Sequence, residues 1–167
     1  MSGLAGRASL VLKITLACVM AVLATACATS ASSNASSAGV EAIKAYNAQV
    51  LKALNAGDAD AMNALMADDY VMFLQGRPPT QGIEAIRAAN RGFLAQWHDQ
   101  EAWTATETVV QGDLGFQWGT FELVLTPRAG GAARRSVGNY LHIYQRKADG
   151  KWRLTRAMNT TFAEKTP

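Results

Sequence analysis

Of the two histidines in this chain, only His142 stands among groups that could share its chemistry. Tyr140 and Tyr144 flank it at a spacing of two, the interval at which a β-strand returns side chains to one face. A neutral imidazole donates and accepts hydrogen bonds, and near pH 7 it can serve as a general base. Two phenols beside it would suit a planar or polar-tipped ligand. The pattern also fits a core histidine satisfied by a neighbouring tyrosine or by Asn159, and both readings stay open. His98 lies far away beside Asp99, where the sequence reads as a helix end. Two such distant histidines give no metal-ligand spacing, so no metal is expected, and no cofactor either. Asp68 and Asp69 fall between a helix and a strand, where capping explains the pair. The four tryptophans are too scattered for a carbohydrate platform. The serines crowd one polar tract, and no nucleophile elbow is present.

The elements that would position these groups follow from periodicity. Val40, Ile43, Tyr46, Asn47, Val50 and Leu54 recur at helical spacing, and Gly57 supplies a left-handed stop. Asp58 then caps a short helix whose buried side is Met62, Leu65 and Met66. Tyr70 to Leu74 reads as a strand, broken by Gly76, Arg77, Pro78 and Pro79. Ile83, Ile86, Phe93 and Trp97 mark a third helix to about Trp97, with Asn90 interrupting the apolar series. Strands are expected over Trp103 to Gln111, Phe116 to Thr126, Val137 to Arg146 and Trp152 to Phe162. Asp149-Gly150 makes the last hairpin turn. Helices first and a long antiparallel meander afterwards define an α+β class.

The first 26 residues read as a targeting signal. Arg7 and Lys13 precede or flank an uncharged stretch, Ile14 to Ala26, shorter than the ~20 apolar residues a spanning helix needs. Leu23-Ala24-Thr25-Ala26-Cys27 resembles a bacterial lipobox, which implies lipidation of Cys27 and membrane attachment through the acyl chains. Ala28, rather than Asp, implies an outer-membrane lipoprotein facing the periplasm. Ala24-Thr25-Ala26 also satisfies ordinary signal peptidase, which would give soluble export with a free Cys27. The expected organisation is a signal peptide over 1–26, an Ala/Ser tether over 27–39 and one folded domain over 40–163. Without the signal, Lys and Arg fall from 16 to 14 against 13 Asp and Glu, so the net charge falls to about +1. No basic stripe is present, and no nucleic-acid partner is expected. Cys18 leaves with the signal, so the domain must hold together without an internal disulfide.

The order of elements from Tyr46 to Arg87, together with the run from Gly138 to Arg153, resembles the SnoaL-like and ketosteroid-isomerase-like families of the nuclear-transport-factor-2-like superfamily. The resemblance covers Val40 to Phe162. It implies a cone-shaped fold, in which three N-terminal helices pack in a strongly curved, mostly antiparallel sheet around an apolar pocket. Gly57-Asp58, Ala67-Asp68-Asp69 and Asp149-Gly150 serve as anchors for the family pattern. The implied ligand pocket is then Val50, Met72, Leu74, Tyr140, His142, Tyr144, Thr155, Ala157 and Asn159. The opposite set on the last strand, Trp152, Leu154, Arg156 and Met158, would face outward, where the superfamily often pairs as a homodimer. The isomerase needs a carboxylate base where this chain has Leu74, and a Tyr donor where it has Val50. Its protonated Asp falls at His142, and a further family Asp falls at Ala157. Steroid isomerisation by that constellation is therefore not expected.

Three functions follow as alternatives. The first is an exported binding module for a small apolar ligand. The second is a pocket enzyme of cyclase, dehydratase or isomerase type using His142 as acid or base. The third is an envelope protein-interaction module with a vestigial pocket.

Overall fold

A computed structural model describes residues 36–165; the expected signal peptide, most of the tether, Cys18 and Cys27 lie outside the described residues. Helix α1 covers residues 36–56. Its buried positions Ile43, Tyr46, Asn47, Val50, Ala53 and Leu54 are three or four apart, the stripe of an amphipathic helix. The helix starts before Val40 and takes in part of the expected tether. Gly39 explains why: it is buried against Val110 and Trp152, and a Cβ there would stand 2.7 Å from Val110 Cγ1. A residue with no side chain lets helix and sheet meet this closely. At the other end Gly57 has φ +70°; its N–H donates to the Leu54 carbonyl and the Asp58 N–H to that of Ala53. This is a Schellman stop. Asp58 then caps α2 (Ala59–Leu65) by accepting from the Ala61 N–H at 2.9 Å.

Strands β1 (Val71–Leu74) and β2 (Thr80–Gln81) form an antiparallel pair around the Gly/Pro turn. Two-residue β2 is too short for the sequence pattern to show. Helix α3 (Ile83–Gln96) runs straight into β3 (Trp97–Gln111), so Trp97 opens the strand instead of ending the helix, and residues 98–102, left between the expected helix and strand, are strand as well. The reason is long-range. Arg128 donates from Nε to the Leu94 carbonyl at 2.7 Å, and its backbone N–H donates to that of Gln96 at 2.9 Å. The last carbonyls of α3 are thereby satisfied from a distant loop, and the chain turns directly into the sheet. Asp69 does not cap a helix; it binds Lys147 Nζ at 2.8 and 3.0 Å across the base of the sheet.

The remaining strands are β4 (Leu114–Pro127), β5 (Arg134–Arg146) and β6 (Trp152–Lys165). The sheet order is β2-β1-β6-β5-β4-β3, all antiparallel except the β1 and β6 pair. Three helices pack against this curled six-stranded sheet, an α+β cone as expected. The curl rests on bulges. In β3 the register shifts between Ala105 and Glu107, opposite Gly119, where a Cβ would collide with the Thr104 carbonyl. Between β5 and β6 it shifts at Val137/Gly138 and at Ile143/Tyr144. Each extra residue bends its strand and increases its twist.

The second of those shifts overturns the expected outward set on β6. Thr155 is the extra residue, so side-chain parity reverses there. Trp152 and Leu154 turn inward and are buried at 7 % and 3 % exposure, whereas Met158 stays outside at 47 %. The outer face keeps a different apolar row: Trp118, Leu141 and Met158 are neighbours across β4, β5 and β6, and all three are exposed.

Candidate functional site

The concave side of the sheet and the three helices enclose a cavity of about 950 Å³, mostly apolar in its lining. Of the residues expected to face it, Val50, Met72, Leu74, His142, Ala157 and Asn159 lie on its wall. Tyr140, Tyr144 and Thr155 do not. Tyr140 and Tyr144 are buried at 2 % and 0 % exposure behind His142. Thr155 sits at the bulge and donates its hydroxyl to the Ile143 carbonyl at 3.1 Å. Tyr140 and Tyr144 share the face of His142, as strand alternation requires, but their hydroxyls are turned into helix α1 and strand β4.

That turn creates a buried chain of hydrogen bonds. Tyr144 OH donates to Asn47 Oδ1 at 3.0 Å, and Asn47 Nδ2 donates to Gln117 Oε1 at 2.9 Å. Tyr140 OH donates to the same Gln117 oxygen at 2.9 Å, and Gln117 Nε2 donates to Thr108 Oγ1 at 2.8 Å. His142 joins at one end, its Nδ1 3.3 Å from Tyr144 OH. Burial pushes the Tyr144 phenol well above its ordinary range and Tyr140 up to about 12, so both stay protonated donors. Burial also pushes the imidazole of His142 down to about 4, opposed by Asn159 beside it. His142 is therefore neutral at pH 7 and better suited to a hydrogen bond than to carrying a proton. Asn159 faces the cavity with an Oδ1 that has no hydrogen-bond partner of normal geometry among the described residues.

The wall formed by β3 holds groups the sequence reading passed over. Asp99, Glu101 and Trp103 alternate inward and all line the cavity. Asp99 is 3 % exposed, and its Oδ1 has no hydrogen-bond partner among the described residues. Burial, and then the nearby charge of Glu101, raise its carboxyl to about 7. Burial raises Glu101 to about 7 as well, against the pull of the Trp103 indole N–H, which donates to Oε1 at 2.7 Å. The same indole packs edge-on against His142, ring centres 4.9 Å apart, and so bridges the carboxyl wall and the imidazole. Tyr70 also lines the cavity, its phenol raised by burial and by neighbouring Tyr46 and Glu101. The wall is fixed to α1 by Asn55, which mimics a strand. Its Nδ2 donates to the Glu101 carbonyl at 2.9 Å, and its Oδ1 accepts from the Glu101 N–H at 2.7 Å. Asn90, the polar break in α3, donates to Asn63 Oδ1 at 2.8 Å and so joins α3 to α2 at the cavity edge.

His98 is exposed on the far side of β3, 3.3 Å from Arg128 Nη1, and plays no part in the cavity. Among the described residues no three His, Cys, Asp or Glu converge as metal ligands. A protonated carboxyl donates and an ionised one accepts, so groups titrating near 7 can do either at neutral pH. The site thus combines a fixed neutral imidazole with two carboxyls able to exchange protons.

A curled sheet closed by helices over an inner chamber is the architecture of the nuclear-transport-factor-2-like superfamily. Within it, this chain belongs to the SnoaL-like domain family, whose model matches residues 40–155. Among solved structures, it is similar to a conserved protein from Planctomyces limnophilus at 28 % identity and TM-score 0.69, covering 75 % of this chain and 98 % of that one. It is similar to a ketosteroid isomerase-like protein from Erwinia carotovora atroseptica at 23 % identity and TM-score 0.67, covering 74 % and 96 %. A protein from Streptomyces avermitilis, described as a candidate dehydratase of the same superfamily, matches at 17 % identity and TM-score 0.65, covering 76 % and 98 %. Among curated proteins none matches.

Proposed function

We propose that this domain binds a small, largely apolar molecule in its cavity and moves a proton on it, with Asp99 as the acid–base group. One observation carries the reading: a carboxyl with an unpartnered oxygen, 3 % exposed, lines a cavity of about 950 Å³ and titrates near 7. An orphaned buried oxygen costs about 1–3 kcal/mol, and a ligand would supply the missing partner. The group is poised to give or take a proton at neutral pH. Glu101 tunes it by charge, Trp103 holds Glu101, and His142 orients the ligand by hydrogen bonding. Dehydration and ketosteroid isomerisation both relocate protons, so the relatives' descriptions support this class of reaction. The positions used differ from the isomerase pattern, in which the base would fall at Leu74.

In the same reading the chain is exported, and Cys27 carries the lipid that holds it at the outer membrane. Two copies pair through the outer sheet face, where Trp118, Leu141 and Met158 stand exposed in one cross-strand row.

The test is solvent exchange. The purified domain is incubated in D2O with cyclic ketones and β-hydroxy ketones, and NMR reports deuterium entering beside the carbonyl. Catalysed exchange is expected for at least one class, with a fall of roughly 100-fold or more in Asp99→Asn. Exchange in Asp99→Asn equal to that of the unaltered protein would remove the acid–base role.

A further inference from the structure

The hydrogen-bond chain behind His142 has a direction, and the direction dictates which ring nitrogen holds the proton. Gln117 Oε1 accepts from both Tyr140 OH and Asn47 Nδ2, so the Gln117 amide nitrogen points at Thr108. Asn47 spends its amide nitrogen on Gln117 and therefore presents Oδ1 to Tyr144. A phenol has one proton. If Tyr144 gives it to Asn47 Oδ1, only oxygen lone pairs remain for His142 Nδ1, so Nδ1 must be the N–H.

Amide orientation is inferred from such networks, so the opposite setting needs weighing. Turning both amides keeps the Asn47 to Gln117 bond but points a Gln117 N–H at Tyr140. Gln117 is the one hydrogen-bond partner of Tyr140 among the described residues. A buried phenol proton would then have no acceptor, which disfavours the turned setting. Turning one amide alone sets like atoms against each other.

We infer that Asn47, Gln117 and Tyr144 are positioning residues that lock His142 as its Nδ1–H tautomer, leaving Nε2 as a fixed acceptor, so that this end of the cavity selects ligands carrying a hydroxyl or N–H donor. Asn159 stands beside the imidazole and favours its charged form, but its Oδ1 does not reach hydrogen-bond geometry with the ring, so it draws no proton to Nε2 and remains a second acceptor on the same wall. The donor end of the ligand lies against His142 and Asn159, and its apolar body lies against Met72, Leu74 and Ala157. This inference rests on the ligand-binding reading of the cavity, but not on Asp99 chemistry.

The experiment has two arms. The first is 15N NMR of the ligand-free, labelled domain at pH 7, where nitrogen shifts show which ring nitrogen is protonated. The chain has 2 histidines, and His142→Gln identifies the signal. The expected result is the Nδ1–H form for His142 and a shift of population to the Nε2–H form in Tyr144→Phe. Should Tyr144→Phe not fold, Asn47→Leu removes the acceptor of the Tyr144 proton and should turn that proton onto Nδ1. A Nε2–H tautomer in the unaltered protein, or no response to either substitution, overturns the lock. The second arm compares 2-naphthol with 2-methoxynaphthalene by quenching of tryptophan fluorescence. The naphthol should bind about tenfold more tightly, the worth of one good hydrogen bond, and Tyr144→Phe should narrow that ratio. Equal binding of the two overturns the donor preference while leaving the cavity as a ligand site. If neither aromatic binds, the ligand reading falls and the donor preference falls with it, while the nitrogen shifts still decide the tautomer.

Discussion

Behind His142, Tyr144, Asn47, Gln117 and Thr108 pass hydrogen bonds from one to the next, whereas on β3 Asp99 leaves an oxygen unpaired in the same cavity. The two regions bury polar groups by opposite means. Behind the imidazole the amide and phenol donors of Tyr140, Tyr144, Asn47 and Gln117 each have an acceptor, and such networks rigidify a core; only acceptors, His142 Nε2 and Asn159 Oδ1, are left on the cavity side. The carboxyl side is left incomplete, held in place by one indole and by backbone pairing to Asn55. A saturated region sets geometry, while an incomplete one stores proton-exchange capacity. One site needs both, and the fold separates them by placing them on different strands.

The largest expected effect is on stability against pH, where the two regions act with opposite sign. Asp99 and Glu101 keep their protons to about 7 in the fold but, as ordinary carboxyls in the unfolded chain, lose them near 4. Over that window the unfolded chain binds fewer protons, so this contribution weakens the fold as pH rises and is complete above about 7. His142 is lowered to about 4 from 6.5. Between those values the unfolded chain binds more protons, so the imidazole contribution strengthens the fold as pH rises and is flat above 6.5. Two carboxyls outweigh one imidazole, so urea unfolding should show a net loss on the order of 3 kcal/mol between pH 4.5 and 8. Asp99→Asn should flatten this dependence and His142→Gln should steepen it. A dependence that both substitutions leave unchanged would mean the two regions are not opposed.

At fixed pH 7 the contrast is smaller and concerns single groups. Tyr144→Phe strands Asn47 Oδ1 and the Nδ1 side of His142, and should cost about 2 kcal/mol in denaturant unfolding. Asp99→Asn strands nothing that was paired and should not destabilise at pH 7. The smallest expected effect is Trp103→Phe, which removes the indole that holds Glu101 down. Carboxyl 13C titration should then find Glu101 higher than before.

Periodicity showed the helices and the five longer strands, because those follow from local spacing, while the inward position of His142 was implied by the family resemblance. It lost the cavity wherever register depends on distant pairing. Trp-x-Asp-x-Glu-x-Trp over 97–103 is an alternating strand pattern, yet the apolar series of α3 runs into Trp97 and hides it. The cap that ends α3 there comes from Arg128, more than thirty residues later. Thr155 shows the same lesson on β6: strict alternation sends Trp152 and Leu154 outward, and one extra residue brings them into the core. Tyr140 and Tyr144 were legible as companions of His142. Their role behind it, rather than beside the ligand, depends on Asn47, 97 residues from Tyr144 in sequence.

Asn55 has a consequence for traffic. By pairing with the backbone of Glu101 as a strand would, it latches the end of α1 onto the carboxyl wall. A guest cannot enter by prising that helix away without breaking both bonds at once.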